Sequence, residues 1–520
     1  MIQPLKSELP SQYADRLGVS YAASMSQEHK KKHGQFFTPV QIARRMAAYS
    51  ECNRNSIRVL DPGCGSGILS CALLEYLVST NDSLTYIELV VYETDPSILM
   101  VTQQAFDYLK RWVEALGINI TITIFTDDFI MHNADLFIND NLFADAGQPF
   151  DIIISNPPYF KLPIDDHRVK AAKVVVNGHP NIYSIFMALS AMLLKENGEL
   201  IFITPRSYAA GGYFKTFREY FFGLIDLQKV HLFVSRKETF KRDKVLQEIV
   251  IIMGSRRKSL PGSMVEIASS SGLKDIASPF IKAFPKKDII DLGSPGKILY
   301  LPTSDFEEAV LDIFKSWSGS LAKYNIKIST GPVVAFRATE YVKNNYENGR
   351  VNTAPLFWLH NIKQMNLEWP IIKPKKGQYI LIEKKSIPLL ILNKNYVFLR
   401  RFSSKDDKNR LIAAPYFCNH IRSNYLGVEN KVNYIYRPRG NLLRNEVVGL
   451  CALLNSHLFD SYFRIFNGNV NVSATELRGM PLPSLGTIKE IGDRVILSND
   501  SSVESSNLII NDYFEPKFIE

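Results

Sequence analysis

The sequence predicts an α/β protein: a doubly wound, mostly parallel sheet of seven strands, followed by a smaller basic domain of mixed α+β character. Three observations carry this expectation. Between residues 57 and 253, seven short apolar runs alternate with stretches of helical length. The texture then breaks at Ser255–Ser263, where SRRKSLPGS is charged and turn-rich. The charge is also unevenly placed. From Lys327 to Met480 there are 23 Lys and Arg against 10 Asp and Glu, which leaves 38 against 42 elsewhere.

The seven runs are Ile57–Leu60, Ile87–Tyr92, Ile120–Phe125, Phe150–Ile154, Leu200–Thr204, Val230–Val234 and Ile249–Met253. They are rich in Ile and Val and largely apolar, as strands covered on both faces must be. Ile68–Val78, Pro96–Leu116 and Tyr183–Lys195 read as the intervening helices. Such alternation implies crossover connections and a parallel sheet. The last two runs are joined by a polar stretch without helical pattern, so a hairpin at the sheet edge is expected. Around this core the chain divides into an N-terminal segment (1–30, helical or loose), the sheet domain (31–255), a connector (256–325), the basic domain (326–485) and a polar tail (486–520).

A chain of 520 residues is too long for one ordinary core. Its 46% hydrophobic and 22% charged content excludes a disordered protein. No run approaches the ~18 apolar residues of a membrane span, and MIQPLKSELP lacks the apolar stretch of a secretory signal. The five cysteines are scattered without a CxxC pair, so neither a disulfide frame nor a metal site is expected, and a cytoplasmic location fits. A basic domain interleaved with aromatic residues suits contacts to nucleic acid phosphates, although a solvated basic surface gives the same count.

The first run ends in Asp61-Pro-Gly63-Cys-Gly65-Ser-Gly67. Three glycines let a backbone approach a ligand closely, though many such loops are plain tight turns. A carboxylate at Asp61 would repel a pyrophosphate and favour an ammonium group, such as that of S-adenosylmethionine. The second run leads into Glu93, where such folds commonly hold ribose hydroxyls. The third leads into Asp127-Asp128-Phe129, an acid for an adenine amine and a ring to pack on it, with Asp128 the preferred acid.

The fourth run stops abruptly at Asn156-Pro157-Pro158-Tyr159. Two prolines remove two backbone donors and fix φ, leaving a stiff turn with free carbonyls. The Asn156 oxygen and the Pro157 carbonyl can together accept from one amine. An aromatic or conjugated amine needs this, because its lone pair is otherwise delocalised and poorly aimed. Tyr159 is expected to stack on a base taken out of the duplex. A rigid strand-end turn is the plain alternative.

These motifs resemble the gamma class of adenine-N6 DNA methyltransferases of type II restriction-modification systems, the Eco57I-methylase-like group. His33-Gly-Gln-Phe-Phe37-Thr38-Pro39 resembles the family's N-terminal cofactor motif, and its place ahead of the glycine loop gives the gamma order. The resemblance implies that Phe37, Thr38, Pro39, Asp61, Gly63, Gly65, Gly67, Glu93, Asp128, Phe129 and Phe186 hold S-adenosyl-L-methionine. It implies catalysis by Asn156, Pro157, Pro158 and Tyr159, with Phe240 of Thr239-Phe240-Lys241 meeting the flipped base. It makes the basic domain a target recognition domain for duplex DNA. Gly331–Arg337, Asn471–Arg478, Arg400, Arg401, Arg410, Arg437 and Arg439 are its candidate DNA contacts. A separate cognate restriction endonuclease and a monomeric enzyme complete the expectation. Other amine methyltransferases, of cytosine N4, RNA guanine N2 or protein glutamine, share such a turn. A non-catalytic specificity subunit would have a damaged turn or glycine loop, and both are intact here.

Overall fold

A computed structural model of the chain describes residues 2–514 except 27, 30–33, 35–36, 138–148, 234–247, 294–295, 345–351, 372, 374–375, 404–406 and 469–470. It forms two compact units, Met1–Thr303 and Ser304–Glu520.

All seven expected strands are present in the first unit: β1 (Ser56–Asp61), β2 (Tyr86–Tyr92), β3 (Asn119–Phe125), β4 (Phe150–Ser155), β5 (Leu194–Pro205), β6 (Ile225–Phe233) and β7 (Ile249–Arg256). Their order is β3-β2-β1-β4-β5-β7-β6. Strands β1 to β5 pair in parallel, and β7 runs antiparallel between β5 and β6. The sheet does not end there. Strand β8 (Met264–Ser270) pairs in parallel with β6, and β9 (Phe280–Pro285) pairs antiparallel with β8, making nine strands. The expected seven-stranded sheet with a β6–β7 edge hairpin is therefore corrected, and most of the expected connector belongs to this unit. The reason is exposure. Phe280 and Ile281 are half-exposed at the outer edge, and Glu266 and Lys282 interrupt the apolar pattern. A search for runs buried on both faces passes over strands buried on one.

Helices cover both faces. On one lie α1 (Pro10–Ser24), α2 (Val40–Ala47), α3 (Ile68–Thr80) and α4 (Leu99–Glu114), whose Leu17, Ile42, Leu73 and Phe106 share a core with Val59, Leu89 and Ile152. The single-turn α5 (Phe129–His132) and the short α6 (His167–Ala171) follow. On the other face lie α7 (Ile182–Leu193) and α8 (Lys215–Leu224), with Phe186, Leu189 and Phe221 packed on Leu60, Ile153 and Leu200. The strand order reverses between β1 and β4, so connections leave their C-terminal ends in opposite directions and open a crevice there.

The second unit has a four-stranded sheet, in the order Lys327–Thr330, Val432–Tyr436, Tyr396–Arg400 and Ala413–Tyr416, and a five-stranded sheet containing Thr353–Phe357 and Tyr425–Val428. Its helices are α9 (Asp305–Ser316), α10 (Arg444–Asn455), α11 (His457–Phe466), α12 (Ala474–Gly479), α13 (Leu485–Leu497) and α14 (Val503–Phe514). The unit mixes helices with two sheets, and most of the polar tail from residue 486 to 514 lies in two helices. Ser484 caps α13, and Ile488, Ile491 and Val495 are buried at helical spacing. A Cβ on Gly449 of α10 would overlap the Ile488 carbonyl, so the two helices approach backbone to backbone.

Candidate active site

A cavity of about 300 Å³ opens at the C-terminal ends of the parallel strands in the first unit. Of the expected site residues, Phe37, Thr38, Gly63, Gly65, Glu93, Asp128, Phe129, Asn156, Pro158 and Phe186 line it. Asp61, Gly67, Pro39, Pro157 and Tyr159 are not among its lining residues. Phe240, with Thr239 and Lys241, lies outside the described residues.

The glycine loop takes its shape from left-handed backbone at Gly65 (φ 53°) and Gly67 (φ 81°). A Cβ on Gly67 would also stand 2.8 Å from the Phe106 ring, so this position excludes side chains twice over. Glu93 clamps the loop: one carboxylate oxygen accepts from the Gly65 N–H (3.0 Å), the other from the Asp95 N–H (2.8 Å). Burial raises the pKa of Glu93.

Asp61 is fully buried beneath the loop. Its Oδ2 accepts from the Ser70 hydroxyl at 2.9 Å. Burial pushes its pKa up to about 7, against the opposing pull of Ser70 and the Gly63 N–H. Asp128 caps α5 through Oδ1, which accepts from the Ile130 and Met131 N–H groups at 2.9 and 3.0 Å. Its Oδ2 lies 3.5 Å from Arg168. The neighbouring Asp127 instead faces His132 at 3.7 Å and is mostly exposed, so of the doubled acids only Asp128 lines the cavity. Phe129 and Phe186 meet at 5.1 Å between ring centres.

The Asn156 amide is held on both sides. Its Nδ2 donates to the Thr38 hydroxyl (2.9 Å), and its Oδ1 accepts from the Tyr159 hydroxyl (2.5 Å), which also lies 3.0 Å from the Ile203 carbonyl. The Tyr159 ring packs against the apolar layers of both sheet faces, and burial pushes its hydroxyl well above the ordinary phenol range. This gives Tyr159 a bracing task that the sequence did not suggest. Gly34, at φ 60°, lies so close that a Cβ would meet the Phe160 ring at 2.8 Å and the Tyr159 nitrogen at 3.1 Å. The segment carrying Phe37 and Thr38 is thus seated directly on the Asn-Pro-Pro-Tyr turn.

Tyr92, Phe160 and Arg168 are among the lining residues that sequence reasoning missed. Phe160 directly follows the turn, and its aromatic character was a usable signal. Arg168 has none in the sequence. Asp166 orients it with two bonds (2.9 and 2.7 Å) and raises its pKa.

In the second unit several expected DNA contacts prove structural. Arg410 is fully buried, donating to Ser403 and Asn467 at 3.0 Å each. Arg437 forks onto the buried Glu446 at 2.7 and 3.2 Å. Arg400 and Arg401 each donate to a backbone carbonyl, of Ile362 and Asn430. Gly331 lies where two backbones approach closely, and Ser473 and Glu476 form the N-terminal cap of α12. Arg478 reaches the Ile328 carbonyl, while Arg439 is exposed. A different basic cluster stands out. Lys363, Lys373 and Lys376 surround His360, and among the described residues none of the three pairs with a carboxylate. Burial first, then these three ammonium groups, lowers the His360 pKa.

The model of the Eco57I restriction-modification methylase family matches residues 80–240. The chain is 34% identical over 496 residues to the type II methyltransferase M.BsuBI of Bacillus subtilis, covering 93% of this chain and 95% of that one. It is 30% identical over 481 residues to the type II methyltransferase M.PstI of Providencia stuartii, covering 92% and 93%. Among solved structures, the DrdV–DNA complex aligns with a TM-score of 0.50 at 14% identity, over 93% of this chain and 59% of that one, a likeness of fold. Relatedness at this level over more than nine-tenths of the chain shows its family: it belongs to the type II restriction-modification methyltransferases, and it is a site-specific DNA methyltransferase.

Proposed function

We propose that the chain moves a methyl group from S-adenosylmethionine to the N6 amine of adenine within a short duplex DNA site. The observation that carries this reading is Asn156, fixed between Thr38 and Tyr159 on the wall of a cavity suited to that cofactor. Bound S-adenosylmethionine supplies an electrophilic methyl group on a sulfonium. The chain's own residues do the aiming. The Asn156 oxygen uses one lone pair on Tyr159 and keeps another for an incoming amine hydrogen. The Pro157 carbonyl accepts the second hydrogen, which draws the amine nitrogen toward tetrahedral geometry. Because the acceptors are already in place, little reorganisation accompanies the reaction. Phe240 would meet the extruded base.

The cavity fits the cofactor in four respects. Phe129 and Phe186 offer apolar surface for a purine. Asp128 keeps an oxygen for its amine, and Glu93, oriented by two backbone N–H groups, suits ribose hydroxyls. The buried Asp61 carboxylate beneath the glycine loop suits a positive charge at that end of the cavity. The second unit is read as the target recognition domain, with a separate restriction endonuclease cutting unmethylated sites in the same cytoplasm and the methyltransferase acting as a monomer. Sequencing host DNA for N6-methyladenine with and without this chain tests the assignment; identical methylation in both would end it.

Within this reading, Lys363, Lys373 and Lys376 are phosphate contacts. Each Lys→Ala change is expected to weaken binding to cognate and mixed-sequence duplexes alike. Each should flatten the slope of log affinity against log salt by about one unit. Fluorescence anisotropy across a salt series measures this, and an unchanged slope in the triple variant excludes the cluster.

A further inference from the structure

We propose that α1 is a positioning helix for the cofactor cavity, acting through Phe37, Ser66 and Glu93. The inference rests on the S-adenosylmethionine reading above. Two separate ties link the helix to the cavity wall.

The first tie is packing. The backbone of α1 at Gly18 lies against the glycine loop and the aromatic wall. A Cβ there would stand 3.0 Å from Ser66 Oγ and 3.4 Å from the Phe37 ring. One turn on, the Tyr21 ring meets Phe37 edge-on, 5.8 Å between centres at 71°. Both Ser66 and Phe37 line the cavity.

The second tie is a relay of hydrogen bonds. The Tyr21 hydroxyl donates to the buried Asp95 carboxylate (3.1 Å) and lies 2.5 Å from Ser97 Oγ. His29 Nε2 stands 2.8 Å from the same Asp95 oxygen. The Asp95 N–H donates to Glu93, whose other oxygen accepts from the Gly65 N–H. The far end of α1 is anchored elsewhere. The Ser11 N–H and hydroxyl donate to Glu75 of α3, and Tyr13 packs edge-on against Tyr108 of α4. Losing the Tyr21 contacts therefore leaves the helix attached while loosening its hold on the cavity wall.

The test uses the full-length protein with S-adenosylmethionine as the probe, comparing Tyr21→Phe and Gly18→Val with wild type. Tyr21→Phe keeps the ring on Phe37 and removes only the hydroxyl's bonds to Asp95 and Ser97; Gly18→Val pushes the helix off Ser66. Calorimetry is expected to show the dissociation constant rising about tenfold in each, as loss of a hydrogen bond to a charged group implies. KM for the cofactor should rise in step, while kcat at saturating cofactor and affinity for duplex DNA stay within about twofold of wild type. A role in fold stability alone would lower the melting temperature and leave this KM-against-kcat split absent. Folded variants that bind the cofactor as wild type does, or that lose kcat at unchanged affinity, would overturn the proposal. If wild type itself bound no S-adenosylmethionine, the cofactor reading would be the part that fails, and the inference would fall with it.

Discussion

Asn156→Ala is expected to lower kcat for methyl transfer by on the order of 10²-fold or more, the usual effect of removing one preorganised electrostatic group. Cofactor binding should weaken far less. The variant loses the bond from Asn156 to Thr38, a neutral pair that contributes about 1 kcal/mol, so an increase of about fivefold in dissociation constant is the ceiling. Tyr159→Phe should fall between wild type and Asn156→Ala, because the ring stays in its apolar slot while the Asn156 oxygen loses its brace. Turnover assays beside calorimetry with S-adenosylmethionine measure both quantities. Near wild-type turnover in Asn156→Ala would remove the turn from the chemistry.

The second large effect concerns Asp61→Asn in the cofactor-free protein. Burial holds the Asp61 pKa at about 7 against an ordinary 3.8. The folded value is the higher one, so the folded chain keeps this proton where the unfolded chain has lost it. The associated stability is fully present below about pH 4 and is lost as pH rises through about 7. Asparagine has no such proton. The stability of wild type minus that of Asp61→Asn should therefore decline between pH 4 and 8, by about 4 kcal/mol at most. Urea denaturation of both proteins across that range reads the difference directly. Parallel curves would show that Asp61 is not held near neutrality. Cofactor affinity should move the other way: the ionised carboxylate favours a cationic ligand, and asparagine at this position should bind it more weakly above pH 7.

What the sequence disclosed and what it hid follow from the same physics. Strands β1 to β7 were legible because their burial within the sheet favours runs rich in Ile and Val. Strands β8 and β9 were not, because a strand covered on one side carries Glu266 and Lys282 without penalty. The residues around the cavity were legible where chemistry restricts them: glycines at positive φ, acids at strand ends, two prolines in a turn. Arg168 was hidden because it belongs to no motif and reaches the cavity from a short helix, oriented by Asp166 through local bonds. The arginines of the second unit misled because charge density does not distinguish a surface cation from one forked onto a buried carboxylate. Arg437 on Glu446 is the clear case. The tail helix α13 was legible in retrospect, since Ile488, Ile491 and Val495 repeat at helical spacing within an otherwise polar stretch.

The most direct test of the central claim is the identity of the methylated atom. Purified protein would be incubated with duplex host DNA from a strain lacking it and with S-adenosylmethionine carrying a deuterated methyl group. The DNA would then be digested to nucleosides for mass spectrometry. The label is expected in N6-methyldeoxyadenosine, reaching a plateau, and is expected to be absent with Asn156→Ala. Label in N4-methyldeoxycytidine, or no label in DNA at all, would contradict that claim.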